Sequence, residues 1–303
     1  MQDTIKKNFR LNFSALNGKN SKCNLKCFNC HKDYFDVSTD FDENFMLSFT
    51  DAIRLIYNSI GETNNHFQKI HISGHAEPLM IGKERFLSEV EQLRKNFPDL
   101  PIALTTNGSY LKDVRDEFLN MGNTFINLSL HHIAYLDTKW FNMICELDEV
   151  NRNQMELNII IDDEIIENID KILSFAFSKK INLKFFHRLE AEDPEDVVNS
   201  FADLIASKLS DQIIDKSIDN NRLVFSLKES FKISIKLPES LTNRPEACNV
   251  CPVRNKCLES CWNSIRITPW YIKPCGVRED NVFFFSNNSK EDLVEKLKLG
   301  GKI

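Results

Sequence analysis

Three cysteines near the N-terminus carry the first chemistry that this sequence predicts. Cys23, Cys27 and Cys30 are spaced C-x3-C-x2-C in the run SKCNLKCFNC. Three thiolates on one loop can hold three irons of a cubane iron–sulfur cluster and leave the fourth iron open to a ligand, whereas a cluster with four cysteines usually only carries electrons. Zinc is the alternative, but structural zinc sites favour four ligands, and only His31 lies near the triplet. The spacing therefore favours a cluster with one open iron.

Further polar residues of interest follow short apolar segments. The run ISGHAEPLM contains Gly74, Glu77 and Pro78. A flexible backbone with a nearby acceptor suits a bound ammonium group. Polar residues also end or interrupt three other segments, at Thr106, Ser129 and Asn158.

Two histidines, His131 and His132, follow the segment NLSL. They could contact substrate or move protons near neutral pH, and helix capping or packing is an equally good interpretation.

A second group of cysteines lies near the C-terminus. A zinc ribbon is one interpretation of it, and an auxiliary four-iron cluster is the other. Five thiols exceed by one what a single cluster requires, so one of them is a candidate hydrogen-atom donor or an inert packing residue. Cys145, within the helical run WFNMICEL, is predicted to pack in the core. The C-terminal group consists of Cys248, Cys251, Cys257, Cys261 and Cys275.

The elements that must position these residues alternate between strands and helices, as βαβ units do. Six such units predict an open, partial (β/α)6 TIM-like barrel, with the ligand site at the C-terminal ends of its strands. The predicted strands are Arg10 to Ser14, Lys69 to Ser73, Ile102 to Thr105, Phe125 to Leu130, Glu156 to Ile161 and Asn182 to Phe186. The predicted helices are Ser48 to Ser59, Glu84 to Phe97, Tyr110 to Met121, Lys139 to Glu149, Asp163 to Phe177 and Pro194 to Leu209.

The pattern changes after residue 210. A β-hairpin is predicted from residues 222–227 and 231–237, followed by the cysteine group, a short strand pair (SIRIT and YIK) and a terminal helix around Lys290 to Leu299. We therefore expect an α/β barrel domain over residues 1–210 and a small cysteine-rich domain over residues 211–303.

Composition excludes several classes of protein. A net charge of −6 argues against nucleic-acid binding as a main role, because phosphate contact needs a basic face. No apolar run is long enough for a membrane span, and the N-terminus lacks the apolar region of a secretory signal. Nine cysteines without an export signal favour a reducing compartment, so a cytoplasmic protein is expected.

Four features, taken in their order along the chain, resemble the radical SAM superfamily over about the first 190 residues. They are the cysteine triplet, the Gly-x-x-Glu-Pro run, TTNG and the two strand residues Ser129 and Asn158. The resemblance implies that the open iron binds S-adenosylmethionine (SAM), which is cleaved to a 5′-deoxyadenosyl radical with electrons from a reductant such as flavodoxin or ferredoxin. It also implies a SAM amino group at Gly74 to Pro78, and contacts to the SAM carboxylate and ribose from Ser129 and Asn158. Two positions depart from the pattern: Asn29 replaces an aromatic residue before the third cysteine, and His75 and Ala76 replace the second glycine.

The C-terminal spacing C-x2-C-x5-C-x3-C is similar to the auxiliary-cluster segment of SPASM and twitch radical SAM enzymes. The run CWNSIRITPWYIKPC also resembles the MoaA-like GTP cyclase of molybdenum-cofactor biosynthesis, with Arg10 and Arg266 in comparable segments. Arg85 is displaced relative to that family, so radical modification of a peptide side chain is the first expectation, with a small natural-product substrate nearly equal. A GTP cyclase and a non-catalytic iron–sulfur or zinc sensor remain alternatives.

Overall fold

A computed structural model describes residues 7–18, 21, 23–27, 42, 44–60, 67–74, 76–148, 150–188, 193–219, 221–238, 264–273, 282–289 and 291–293. The described strands are β1 (Lys7–Asn12), β2 (Phe67–Ser73), β3 (Ile102–Thr106), β4 (Thr124–Leu130), β5 (Met155–Ile160), β6 (Asn182–Phe186), β7 (Ile213–Asp219), β8 (Arg222–Leu227), β9 (Lys232–Lys236), β10 (Ser264–Ile267), β11 (Tyr271–Lys273) and β12 (Phe283–Phe284). The described helices are α1 (Phe49–Ile60), α2 (Lys83–Asn96), α3 (Arg115–Asn120), α4 (Lys139–Ile144), α5 (Asp163–Glu167), α6 (Ile169–Lys179) and α7 (Pro194–Lys208).

The predicted alternation of strands and helices is confirmed, and the fold is mixed α/β with parallel strands. Three predicted helices differ from the structure. The segment predicted as one helix over 163–177 is interrupted at Asn168, whose side-chain amide donates to the Glu164 carbonyl and caps α5. The segment over 110–121 opens with a 3-10 turn before α3, and α4 ends at Ile144, earlier than predicted.

The chain forms two compact units. The first comprises Met1–Thr105, Asp116–Phe125 and Arg244–Ile303. Its strands run in the order β12-β11-β10-β1-β2-β3, with β1 parallel to both β10 and β2. Apolar side chains such as Phe9, Leu11 and Ile72 are fully buried, while the alternate positions on β1 and β2 are polar.

The second unit comprises Thr106–Arg115 and Ile126–Asn243. Its strands run in the order β4-β5-β6-β9-β8-β7, and β4, β5, β6 and β9 are parallel. The predicted hairpin is confirmed as β8 and β9. The edge strand β7 was not predicted, because nearly all its side chains are exposed and it lacks an apolar alternation. The domain boundary expected at residue 210 stays a prediction.

Of the predicted terminal helix, residues 291–293 are described and are helical. Among the described residues, no helix has the length and apolarity to cross a membrane.

Candidate active site

The cysteine segment begins where β1 ends. The first strand stops at Asn12, earlier than predicted, and residues Phe13–Asn17 form a 3-10 helix that closes at Gly18 with φ +96°. Cys23 and Cys27 follow, and both side chains are half-buried. Cys30 lies outside the described residues, as do His31, Phe28 and Asn29. Over the part of the chain that is described, no group of three metal-binding side chains occurs, so the completed triplet stays a prediction.

The Gly-x-x-Glu-Pro run is held against the end of β1. The Ser14 hydroxyl donates to Asn12 Oδ1 at 2.7 Å and accepts from the Ala76 backbone amide at 3.3 Å. A Cβ on Gly74 would lie 2.6 Å from Ser14 Oγ and 3.0 Å from Asn12 Oδ1. Gly74 is therefore required by close packing, since only a hydrogen fits at that point.

Glu77 is a buried carboxylate, 3% exposed, directly after this run. Its Oε1 accepts from the Leu79 amide at 3.2 Å and caps the 3-10 helix Pro78–Ile81. A carboxylate has about four acceptor positions, so this cap leaves capacity for a ligand's donor. A buried negative charge also favours a cationic partner, such as an ammonium group.

Four side chains that carry or can gain a positive charge form one row across neighbouring strands of the first unit. Arg10 on β1 pairs in register with Arg266 on β10 and with His71 on β2, and Arg266 pairs with Lys273 on β11. Arg266 is 7% exposed and Lys273 is 2% exposed. We call these four residues the cationic row. They place four basic side chains on one face of the sheet.

His71 is fixed within that row. Its Nε2 lies 2.6 Å from the Thr105 hydroxyl at the end of β3. Neither His71 nor Lys273 was predicted as a site residue. The signal that could have found His71 is the alternation of polar and apolar residues along KIHIS, which places Lys69, His71 and Ser73 on one face of the strand.

In the second unit, Thr106 has a local role. Its hydroxyl accepts from the Gly108 amide at 3.1 Å, and the neighbouring Asn107 Oδ1 accepts from the Ser109 amide at 2.9 Å. Thr106 is 2% exposed, so its side chain shapes the turn that follows β3. Its predicted contact to a cofactor stays a prediction.

The structure brings Ser129 and Asn158 together. They are direct register partners on the parallel strands β4 and β5. The Asn158 Oδ1 atom is buried and accepts no hydrogen bond from the residues that the structure describes. A buried amide oxygen without a donor costs about 1–3 kcal/mol, so Asn158 is well suited to accept from a ligand hydroxyl or amine.

A half-buried lysine lies beside this pair and was not predicted from the sequence. Lys184 on β6 is the register partner of Asn158. Its Nζ contacts the Glu156 carboxylate and donates to Asn127 Oδ1 at 3.1 Å. Together with Ser129 and Asn158, these side chains make one face of β4–β6 polar. The other face packs against the apolar core.

Two other candidate residues, His132 and Cys145, take part in helix capping and core packing. His132 Nδ1 accepts from the Ala134 amide at 3.2 Å and lies 3.6 Å from the exposed Glu164 carboxylate, so the capping interpretation is confirmed for this histidine. Cys145 is fully buried, as predicted for packing, and burial raises the pKa of its thiol to about 12. The five C-terminal cysteines lie outside the described residues.

Comparison with known proteins gives both sequence and structural relatives. A probable GTP 3′,8-cyclase of Methanococcus maripaludis is 26% identical over 283 residues, which is 88% of this chain and 86% of that protein. A GTP 3′,8-cyclase of Campylobacter jejuni is 29% identical over 56% of this chain, and the alignment covers 53% of that protein, about half its length. No protein-family model matches.

Two solved structures share the fold. Streptococcus suis SuiB bound to S-adenosylmethionine matches with a TM-score of 0.57 and 13% identity over 99% of this chain and 66% of the SuiB chain, slightly under two thirds. The structure of anSMEcpe with bound AdoMet matches with a TM-score of 0.56 and 15% identity over 96% of this chain and 79% of that chain. The resemblance of this chain to the radical SAM superfamily is thereby supported, and its fold is that of these two SAM-bound proteins. The fold expected from the sequence is thereby confirmed.

SAM, which both solved structures contain, and the [4Fe–4S] cluster predicted from the sequence need thiolate ligands and polar acceptors. Cys23 and Cys27 are partly exposed cysteines, which suits thiolate ligation of a cluster. Ser14 and Asn12 leave no room for a side chain at position 74. The buried Asn158 Oδ1 has no hydrogen-bond donor among the described residues. The assignment of these residues to cluster and cofactor stays a prediction.

Proposed function

We propose that Cys23, Cys27 and Cys30 hold a [4Fe–4S] cluster whose open iron binds SAM. When bound, the cluster supplies the electron that cleaves SAM to a 5′-deoxyadenosyl radical, which abstracts a hydrogen atom from the substrate. A small protein reductant such as flavodoxin or ferredoxin is the proposed electron source. Anaerobic reconstitution with dithionite and SAM tests this: formation of 5′-deoxyadenosine supports it, and iron at trace levels without that product supports a non-catalytic sensor.

In this proposal the protein's own groups orient SAM. Glu77 accepts from the amino group, with the backbone at Gly74 and Pro78 shaping its surroundings. Ser129 and Asn158 provide polar groups for the carboxylate and ribose, and Thr106 fixes the turn after β3.

We further propose that the substrate is a small anion of the nucleotide type, with GTP as the first candidate. The cationic row is the observation that carries this. Arg10 and Arg266 are register partners on neighbouring strands, so their guanidinium groups lie on the same face of the sheet. A phosphate accepts paired hydrogen bonds from arginine, which is the strong form of such contacts. The similarity to named GTP cyclases over most of the chain favours the same class.

The test is turnover with GTP and SAM under anaerobic reduction, with Arg266→Gln as the informative variant. Losing one charge-assisted phosphate contact, worth about 1.5–3 kcal/mol, raises the KM for GTP roughly 10- to 150-fold. The matched control is Arg54→Gln, which removes an exposed guanidinium near Asp51 and leaves KM unchanged. Equal KM values for both variants and the wild type would contradict the anionic substrate.

Modification of a peptide side chain, or of a natural-product precursor, is the second candidate. The cysteine spacing from Cys248 to Cys261 favours it, because it is similar to SPASM and twitch segments. An auxiliary [4Fe–4S] cluster on these residues would anchor substrate or accept an electron after hydrogen abstraction. Cys257→Ala is then expected to spare SAM cleavage and stop product formation, measured as 5′-deoxyadenosine and product by mass spectrometry.

A further inference from the structure

Two hydrogen bonds join the 3-10 helix Phe13–Asn17 to the segment that contains Glu77. The first is the bond from the Ala76 amide to Ser14 Oγ, at 3.3 Å. The second is the bond from Asn17 Nδ2 to the Met80 carbonyl, at 3.1 Å. One contact lies before Glu77 and the other after it, so the segment Ala76–Met80 is held at both ends.

Ser14 is oriented for this task. A serine hydroxyl has one proton and two acceptor positions. Its proton is directed to Asn12 Oδ1 at 2.7 Å, which leaves a lone pair for the Ala76 amide. The Ser14 side chain is 2% exposed, so the surrounding residues leave it little freedom to turn away.

Asn17 acts from the opposite end of the same helix. It is the last residue before Gly18, after which the chain continues toward Cys23. Its carboxamide is the donor to a backbone carbonyl, and the contact is exposed, so its stability contribution is small. The start of the cysteine segment is therefore tied to the segment that carries Glu77.

We propose that Ser14 and Asn17 are positioning residues that set the Glu77 segment relative to the cysteine segment. The proposal rests on the proposed function, in which one SAM molecule contacts both the cluster and Glu77. A ligand held at two points binds best when both points are prearranged. Neither side chain touches SAM in this account, and each acts through the backbone of the other segment.

The informative variants are Ser14→Ala and Asn17→Leu. Ser14→Ala removes the acceptor of the Ala76 amide together with the Ser14–Asn12 hydrogen bond, and Asn17→Leu removes the bond to the Met80 carbonyl. Both change the side-chain size little, so the SAM concentration for half-saturation rises about three- to tenfold. The rate at saturating SAM stays within about twofold, because the redox chemistry itself is unchanged. Half-saturation is read from the change that SAM causes in the electron paramagnetic resonance spectrum of the reduced cluster.

The matched controls remove equivalent contacts inside helices of the second unit. Ser178→Ala deletes a hydroxyl that donates to the Phe175 carbonyl, and Asn142→Leu deletes a carboxamide that donates to the Leu136 and Thr138 carbonyls. Both are expected to lower the Tm slightly and to leave SAM half-saturation at the wild-type value.

Wild-type half-saturation in both Ser14→Ala and Asn17→Leu would overturn the positioning role. The positioning role would also be overturned if the two variants shifted the SAM half-saturation no more than the control variants do at an equal loss of Tm. If Ser14→Ala does not fold, the exposed Asn17→Leu variant decides alone. Failure of the proposed function looks different, because the wild-type protein itself would then show no spectral response to SAM.

Discussion

Substituting Gly74 by alanine tests the geometry of the site most directly. The added Cβ would lie 2.6 Å from Ser14 Oγ, 2.8 Å from the Ala76 carbonyl and 3.0 Å from Asn12 Oδ1. Non-bonded atoms normally approach to about 3.5–4.0 Å. Ser14 or the backbone at Ala76 must therefore move by close to 1 Å, in the same segment that leads to Glu77.

The cost of such overpacking is about 1–3 kcal/mol. If it falls on the arrangement that binds SAM, affinity decreases roughly 5- to 150-fold, since about 1.4 kcal/mol is tenfold. The assay is SAM titration of the reduced, reconstituted enzyme, with 5′-deoxyadenosine formation as a second readout.

Gly122→Ala is the matched control. Gly122 has φ +72°, so alanine is strained there by about 1 kcal/mol, but nothing lies within 4 Å of its Cβ. This variant is expected to lower stability without changing SAM affinity. If Gly74→Ala binds SAM as the wild type does, the packing argument for this glycine is refuted.

Three other predictions follow from the described contacts. Cys27→Ala is expected to abolish SAM cleavage, because a cubane held by two thiolates is not retained; cleavage that persists would show that the cluster assignment is wrong. Asn158→Leu removes a buried oxygen that has no donor among the described residues, so the variant's free energy of unfolding should equal or exceed that of the wild type. Its SAM affinity is expected to fall about 3- to 30-fold. A parallel loss of stability would argue for a purely structural role of Asn158. The raised pKa of Cys145 keeps its thiol protonated at pH 8, and the thiolate is the form that reacts with iodoacetamide. We therefore expect mass spectrometry to show labelling of Cys23 and Cys27 in the cluster-free protein and none of Cys145. Labelling of Cys145 in the folded protein would contradict its burial.

Most strands were predictable because each parallel strand has a buried apolar face. The segments at β2, β3, β4 and β6 read as strands from their own composition, and Asn182–Phe186 matches its prediction at both ends. Strand β7 was not predicted, because the side chains of its sequence, IIDKSID, are mostly exposed and show no apolar alternation. It is a strand because β8 supplies its hydrogen bonds, which is a tertiary property.

The helix interruption at Asn168 shows a second limit of periodicity. Ile165, Ile169, Ile172 and Leu173 keep the helical spacing across the break, since one capping residue hardly shifts the phase. The boundary between α5 and α6 depends on a side-chain hydrogen bond to Glu164, and hydrophobic patterning carries no information about it.

By itself the sequence determined the kinds of chemistry available: the thiol triplet, the Gly-x-x-Glu-Pro run and the order of strands that carry Ser129 and Asn158. These signals are local, because they depend on residue type and spacing along one segment. Only the tertiary structure decided that Arg10, His71, Arg266 and Lys273 share one row, that Ser14 supports Ala76, and that Lys184 stands beside Asn158. Strand register sets these neighbours, and register is fixed by how apolar faces far apart in the chain pack together.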